Sequence, residues 1–297
     1  MSRSHRPMTR RHFLALSAAT ASLAFRAPAQ ENPAPYVIRQ DWHMHTWRAG
    51  GKDDALVEDI ITTNAAYGLD LMGISEHIDR LDEREPFKEK IAANRREAAA
   101  TPSGKMKVMI GTETSMINPT LCSLGDENAA LLDYRLVSCN HYHLKHVENP
   151  EPKTAEGYAG HYLDMLWGAT ELGYADTIGH PFYHAKLRKY DFDHEKLMAI
   201  LKAYDTTRLT EVLKQAAAVN MAFELNPRHV DNALEWFKEL VQEARLHGTK
   251  FTLGTDAHDL AHLGYPDGDS GRTCGQILAE LGIRDEDLKW EPIVYGG

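Results

Sequence analysis

The stretch Asp41-Trp42-His43-Met44-His45-Thr46 decides how this chain folds, because two histidines two residues apart follow a short apolar run at residues 37–38. Successive side chains of a strand point to opposite faces, so His43 and His45 share one face and can bind one ion together. Asp41 lies on that face too, and we expect its carboxylate to orient one of the imidazoles. The stretch therefore predicts a metal-binding strand end.

Five further segments place imidazoles and carboxylates directly after apolar runs of strand length. They are Ser75-Glu76-His77, Gly111-Thr112-Glu113, Ser138-Cys139-Asn140-His141, Ile178-Gly179-His180-Pro181 and Gly254-Thr255-Asp256-Ala257-His258. Helical patterns separate most of the runs, and strands that alternate with helices form parallel sheets. If the sheet closes into a barrel, the carboxyl ends of its strands meet at one rim. We therefore expect these side chains to share divalent ions there.

The apolar patterns predict seven strands and seven helices within one domain at residues 36–297, which follows a linker at 30–35. After the first strand, strands are predicted at residues 69–74, 106–110, 134–137, 175–178, 221–225 and 251–253. Helices are predicted at 55–67, 85–100, 154–172, 193–203, 206–218, 231–247 and 274–281. Asp231 is the predicted N-cap of the sixth helix. Residues 114–133 and 259–273 show no clear period and are predicted to be rim loops.

The first 29 residues have the pattern of an export signal. Thr9-Arg10-Arg11-His12-Phe13-Leu14 matches the twin-arginine motif, residues 13–24 are weakly apolar, and Ala27-Pro28-Ala29 is a small-residue cleavage site. The apolar run is too short to span a bilayer. We therefore expect a twin-arginine signal peptide at 1–29, recognition by the twin-arginine export machinery, and a periplasmic or secreted protein without a membrane span after signal removal.

The net charge and the cysteine content argue against two kinds of binding, to nucleic acid and to zinc through thiolates. The formal net charge is −10, and it becomes −15 without residues 1–29, which hold five arginines and neither acids nor lysines. Such a chain is poorly suited to nucleic acid, whose binding depends on neutralising phosphates. Cys122, Cys139 and Cys274 allow at most one internal disulfide, whose partners the sequence leaves open. No CxxC motif is present, which argues against a thiolate zinc site.

The order of these segments resembles the polymerase-and-histidinol-phosphatase (PHP) domain family. The resemblance runs from Asp41 to His258 and rests on the joint occurrence of HxH, Glu-His, Glu, His, Gly-His-Pro and Asp-Ala-His. It implies an α/β fold, a distorted (β/α)7 TIM-like barrel of the PHP type. It also implies hydrolysis of a small phosphorylated molecule by a centre of two or three divalent ions, zinc, manganese or iron.

The same resemblance implies a role for each ligand. His43, His45, Glu113 and Asp256 hold a first ion, Glu113, His141 and His180 a second, and His77 and His258 a third. Some family members supply another histidine to the third ion from the loop after HxH. That loop has no histidine here, so Asp53 or Asp54 is a candidate replacement, and a centre of two ions is the alternative.

Asp256, His258 and Arg228 are the expected catalytic residues. Arg228 follows Glu224-Leu225-Asn226-Pro227, which is similar to the Glu-x-Asn strand end of the family. A guanidinium matches two phosphate oxygens, although an arginine at this position can equally face solvent. Weaker candidates near the ligands are two further cations and three aromatic residues that could line a pocket: Lys186, Arg188, Trp47, Tyr142 and Tyr183.

Three other functions remain open at the sequence level. Amidohydrolases also begin with HxH on a barrel strand, but they commonly use a bridging lysine where this chain has Glu113, and they lack its closing Asp-x-His pair. A phosphodiesterase acting on small molecules would use the same metal chemistry. A non-catalytic periplasmic metal-binding protein is the third alternative, and the missing loop histidine favours it.

Overall fold

The structure is a computed structural model that describes residues 33–52, 55–183, 194–267 and 270–296. The chain from Pro33 onward forms one compact unit. Within the described residues, no helix has both the length and the apolar character needed to cross a membrane. The signal-peptide prediction for residues 1–29 falls outside these ranges, and so do the candidates Asp53, Asp54, Lys186 and Arg188.

Eight strands of the described residues form one sheet. They are β1 (Gln40–Met44), β2 (Leu71–Ile78), β3 (Lys107–Asn118), β4 (Leu121–Cys122), β5 (Tyr134–Ser138), β6 (Thr177–Ile178), β7 (Ala222–Leu225) and β8 (Phe251–Leu253). Seven of them run parallel in the order β1-β2-β3-β5-β6-β7-β8, and β4 pairs with β3 in antiparallel fashion. The parallel arrangement and the count of seven confirm the predicted barrel.

The barrel is nearly closed by contacts between β1 and the chain after β8. Met44 and Ala257 form a parallel bridge, and the N–H of His45 donates to the carbonyl of Ala257 at 2.8 Å. Deeper in this seam, the backbone N–H and the hydroxyl of Thr255 donate to the Asp41 carboxylate at 3.1 and 2.7 Å. The expectation that Asp41 orients an imidazole is therefore wrong. The Asp41 carboxylate instead connects β1 to the chain after β8. Burial raises the pKa of this carboxyl group to about 7.

Nine helices of the described chain surround the strands and the loops between them. They are α1 (Val57–Tyr67), α2 (Arg84–Ala100), α3 (Asp126–Ala129), α4 (Ala155–Thr170), α5 (His194–Ala203), α6 (Thr206–Ala218), α7 (Pro227–Val230), α8 (Leu234–His247) and α9 (Cys274–Glu280). Asp231 begins a 3-10 turn (Asp231–Ala233) ahead of α8, so its prediction as the N-cap is wrong. Its carboxylate accepts a hydrogen bond from Arg272 instead.

The interior of the barrel is filled by a cluster separate from the main apolar core, made of Trp42, Leu71, Met109, Tyr134 and Leu136. The ring of Tyr134 lies where Gly73 and Gly111 leave room, since a Cβ at either glycine would fall within 2.4 Å of it. The Tyr134 hydroxyl donates to the carbonyl of Trp42 at 2.7 Å. The two glycines therefore allow one large aromatic side chain to fill the barrel.

Strand β3 extends eight residues beyond the predicted end at Ile110, so the prediction of an irregular segment at 114–133 is wrong. Polar side chains along the extension are satisfied by neighbouring strands, for example Thr112, whose hydroxyl donates to the carbonyl of Glu76 at 2.8 Å. The strand then turns into the short β4, and α3 follows. As a result Glu113 lies in the middle of a strand and is fully buried.

Candidate metal centre

The structure brings all eight predicted ligands to the carboxyl end of the barrel. They form three overlapping groups, and the potential ligand atoms of each group lie within 4.8 Å of one another. The groups are His43, His45, Glu113 and Asp256; Glu113, His141 and His180; and His45, His77 and His258. The first two groups match the sets that the family resemblance implies. In the third, His45 joins the two predicted members.

The first group has the spacing of a tetrahedral site. Nε2 of His43 lies 3.0 Å from Nε2 of His45, and Oδ1 of Asp256 lies 3.3 and 3.2 Å from these two atoms. Oε2 of Glu113 lies 3.3 and 3.4 Å from the same two nitrogens. Ligands about 2.0–2.1 Å from a tetrahedral zinc ion are about 3.3 Å apart. The four side chains therefore fit an ion of this size.

Glu113 links the first group to the second. Its Oε2 faces His43 and His45, while its Oε1 lies 3.1 Å from Nε2 of His141 and 2.7 Å from Nε2 of His180. The hydroxyl of Ser138 donates to Oε1 at 2.7 Å and holds the carboxylate in this orientation. One fully buried carboxylate thus presents one oxygen to each group, which is the arrangement of a bridging ligand.

The third group lies nearer the surface. The rings of His45 and His77 are stacked with centroids 4.3 Å apart, and the ring of His258 is 4.3 Å from that of His45. Nδ1 of His77 lies 3.3 Å from Oε2 of Glu113. The side chain of His258 is 40% exposed, so it can contact a molecule that enters from solvent. The third group therefore forms the mouth of the centre.

The surroundings of the first group shift the pKa values of its two imidazoles in opposite directions. Burial disfavours a charged His43, but the carboxylates of Glu224, Asp256 and Glu113 raise the pKa of His43 well above its ordinary value. Burial and the neighbouring His77 lower the pKa of His45 well below its ordinary value. His45 is therefore neutral, the form in which imidazole binds metals. A mixed nitrogen and oxygen donor set suits zinc, manganese or iron.

Glu224 on β7 contacts two members of the cluster, and the sequence pointed to it only as part of Glu-x-Asn. Its Oε1 lies 2.8 Å from Nδ1 of His43, and its Oε2 accepts the backbone N–H of His180. Room for it exists because position 254 is glycine, where a Cβ would fall 1.8 Å from Oε1. The signal was an acidic residue inside an apolar run that ends, like the ligand strands, at the rim.

Arg228 lies on α7 at the same rim and is half-buried. Its backbone N–H donates to Oδ1 of Asn226 at 3.1 Å. No contact joins it to the eight ligands within the described chain. Trp47 is exposed, and Tyr183 is stacked on His229 with ring centroids 3.6 Å apart. Tyr142 is fully buried, so the expectation that it lines a pocket is wrong.

The three cysteines are buried and carry free thiols. Burial raises the pKa of the Cys139 thiol well above its ordinary value and the pKa of the Cys274 thiol to about 11. These thiols are therefore protonated at neutral pH, and no disulfide joins the three cysteines in this structure.

The fold and these groups define a parallel α/β barrel with a buried histidine and carboxylate cluster at its carboxyl end. No protein-family model matches the chain. No curated protein matches it either. A solved structure with this fold is histidinol phosphate phosphatase from Lactococcus lactis subsp. lactis, complexed with zinc, L-histidinol and phosphate. It has a TM-score of 0.52 and 18% identity over 84% of this chain and 94% of that one.

Two further structures are more distant. A protein from Listeria monocytogenes, provisionally assigned as a histidinol phosphatase, has a TM-score of 0.46 and 15% identity over 76% of this chain and 97% of that one. N-isopropylammelide isopropylaminohydrolase from Burkholderia multivorans has a TM-score of 0.41 and 12% identity over 84% and 67%. The likeness to the Lactococcus structure confirms the predicted TIM-like fold class.

Proposed function

We propose that this protein is a metal-dependent phosphoesterase that acts on a small phosphorylated molecule. The observation that carries the proposal is Glu113, whose two oxygens face two separate groups of histidines within a buried centre. Paired ions bridged in this way are typical of enzymes that displace groups at phosphorus. The fold is also that of a phosphatase whose structure contains zinc and phosphate, which supports the same reaction class.

In this proposal the ligands are those named above: His43, His45, His77, Glu113, His141, His180, Asp256 and His258. Two or three divalent ions held there, zinc, manganese or iron, would neutralise phosphoryl oxygens and make a water molecule nucleophilic at neutral pH.

The remaining roles belong to the side chains themselves. In a centre of two ions, which leaves the third group without an ion, His258 is positioned at the mouth to transfer a proton to the leaving oxygen. Asp256, at the boundary between the first group and solvent, orients the attacking water. Arg228 binds two phosphate oxygens through its planar guanidinium.

A substrate panel on the purified full chain, loaded separately with zinc, manganese or iron, tests this function. We expect hydrolysis of an aryl phosphate monoester, with slower or no cleavage of an aryl diester, an amide or a lactone. Glu113→Gln should lower kcat/KM by at least about 100-fold and reduce bound metal, because the bridging charge is lost. Glu171→Gln, a change at an exposed side chain on the outside of the barrel, is the matched control.

Other outcomes identify the alternatives. Preference for the diester would indicate a phosphodiesterase, and cleavage of amides or lactones alone would indicate an amidohydrolase-like enzyme. Bound metal without hydrolysis of any ester would indicate a metal-binding protein without catalysis. Full activity in Glu113→Gln would contradict the proposed centre.

We further propose export through the twin-arginine pathway to the periplasm or beyond. The support is the sequence pattern of residues 1–29 alone. In a cell fractionation experiment, replacing Arg10 and Arg11 together by lysine should leave the protein in the cytoplasm, because the pathway reads both guanidinium groups. A periplasmic double variant would exclude this route. Replacement of Arg3 and Arg6 by lysine, outside the motif, is the control.

A further inference from the structure

A chain of hydrogen bonds leads away from the second metal group. Ser115 lies on β3 two residues after Glu113, and its Oγ is 2.6 Å from Nδ1 of His141. The same hydroxyl donates to Oδ1 of Asp79 at 2.6 Å. A serine has one hydroxyl hydrogen, which goes to the carboxylate. The hydrogen between Ser115 and His141 must then come from Nδ1 of His141, so Nε2 of that ring carries the lone pair.

Nε2 of His141 is the atom that faces the centre, 3.1 Å from Oε1 of Glu113. A histidine binds a metal ion through the nitrogen without a hydrogen, and the partner of its other nitrogen decides which one that is. The contact to Ser115 therefore selects the tautomer that can act as a ligand in the second group.

Asp79 is itself held on both sides. It follows β2 directly, its N–H donates to Oε2 of Glu83 at 2.8 Å, and its carbonyl lies 2.8 Å from Nε2 of His146. Its carboxylate is largely buried and also reaches a member of the third group, with Oδ2 3.7 Å from Nδ1 of His77. This one side chain thus stands between ligands of two groups, with Oδ1 3.4 Å from Nδ1 of His141 and Oδ2 3.7 Å from Nδ1 of His77.

We propose that Asp79 and Ser115 are positioning residues that fix the tautomer and the ring orientation of His141, and that they set the metal affinity of the second group without altering the first. The inference rests on the proposed metal centre. It adds Asp79 and Ser115 to the residues of the site. Asp79 is close in sequence to His77 but distant from His141.

Cobalt titration of the metal-free protein, followed by visible absorption and by elemental analysis, tests the inference without relying on activity. Ser115→Ala removes the hydroxyl, and Asp79→Ala frees that hydroxyl to turn its hydrogen towards His141. In both variants we expect the cobalt ion of the second group to bind about 10- to 100-fold more weakly, as is typical when the partner of a ligand is removed. The ion of the first group should keep its affinity and its spectrum.

Two controls separate positioning from general destabilisation. Ser115→Thr keeps the hydroxyl and should restore the affinity of the second ion to nearly the wild-type value. Thr252→Val removes a buried hydroxyl that pairs with Thr177 at 2.7 Å inside the barrel, so it should change thermal stability without changing either cobalt affinity. If Ser115→Ala does not fold, the comparison of Asp79→Ala with Ser115→Thr decides the question.

The outcomes are distinguishable. Wild-type protein that binds no cobalt would remove the proposed function itself. Two cobalt ions bound equally well by the wild type, Ser115→Ala and Asp79→Ala would overturn this inference and leave the function standing. Equal weakening of both ions in the two variants would mean a merely structural role, and it would overturn the inference as well.

Discussion

Glu224 shows how a single residue can serve two metal groups. Its carboxylate binds the imidazole of His43 with one oxygen and the backbone of His180 with the other. The hydrogen bond from Nδ1 of His43 leaves Nε2 of that ring for the centre. A carboxylate in this position also makes the imidazole a stronger ligand. Glu224 therefore contacts one member of the first group and one of the second.

We predict that Glu224→Gln lowers the affinity for the ion of the first group by about 10- to 100-fold, since the charged partner of His43 is lost. Isothermal titration with zinc, against a competing chelator, measures the change. Glu243→Gln on the outer surface of α8 should leave the affinity unchanged. Unaltered zinc binding in Glu224→Gln would show that its carboxylate only fills space.

The eight residues that lie together in the cluster could be predicted from the sequence, whereas their hydrogen-bond partners could not. A ligand such as His45 or His258 is apparent because the residue type and the spacing of two both follow a strand-like run. The partner of His43 is decided by which strands come close to β1 when the barrel closes, and local sequence does not contain that information. The sequence favours Asp41 as the partner of an imidazole, but the structure shows Glu224 in that position. These two residues lie 183 positions apart along the chain.

At the scale of elements, the segment after β8 must pass close to the cluster, and Gly254 makes this possible. We predict that Gly254→Ala displaces Glu224 and His43, because its Cβ would lie 1.8 Å from the carboxylate and 2.8 Å from Cβ of His43. The result should be loss of the ion of the first group and a fall in stability of about 1–3 kcal/mol from overpacking. Zinc titration and urea unfolding measure the two effects.

Gly160 in α4 provides the contrasting control. No atom lies within 4 Å of a Cβ built there, so Gly160→Ala should raise stability by about 0.5–1 kcal/mol through helix propensity alone. Normal zinc affinity in Gly254→Ala would contradict the close packing described here.

Element boundaries in the first half of the barrel show where sequence patterns are insufficient. The first apolar part of β3 ends at Ile110, but the strand continues through the polar residues 112–115 to Asn118. Hydroxyl groups of that run, such as those of Thr112 and Thr114, bond to carbonyls of β2. Such cross-strand hydrogen bonds leave no periodic pattern in the sequence. The sequence therefore predicts a loop at residues 114–118, where the structure has a strand.

At the scale of the whole molecule, the chain after α9 fastens the end of the barrel opposite the metal centre. The Arg245 guanidinium on α8 donates to both carboxylate oxygens of Asp287 at 2.9 and 2.7 Å. Just beyond, the N–H of Lys289 donates to the carbonyl of Phe251 on β8 at 2.7 Å. Burial by itself would raise the pKa of Asp287, but the hydrogen bonds from Arg245 and Arg284 bring that pKa below its ordinary value of 3.8.

A carboxylate whose pKa is lowered by folding stabilises the folded protein above pH 3.8, and the contribution is lost as the pH falls through the lowered pKa. We predict that Asp287→Asn costs about 1–3 kcal/mol of unfolding free energy at pH 7, and that the cost shrinks below about pH 4. Urea unfolding of chelator-treated protein at both pH values measures it. Asp82→Asn, at an exposed pair with Arg80, should have little effect. An equal cost at low and neutral pH would contradict the linkage.

The seam between β1 and the chain after β8 has a consequence for how the protein matures. The first metal group lies across it, and the two sides of the group, for example His45 and Asp256, are 211 residues apart. A nascent chain lacks Asp256, one of the four members of the group, until synthesis has passed β8, the last strand of the barrel. If this group binds an ion as proposed, full affinity is reached only after the last strand of the barrel has been synthesised, and chains truncated before Asp256 do not reach it.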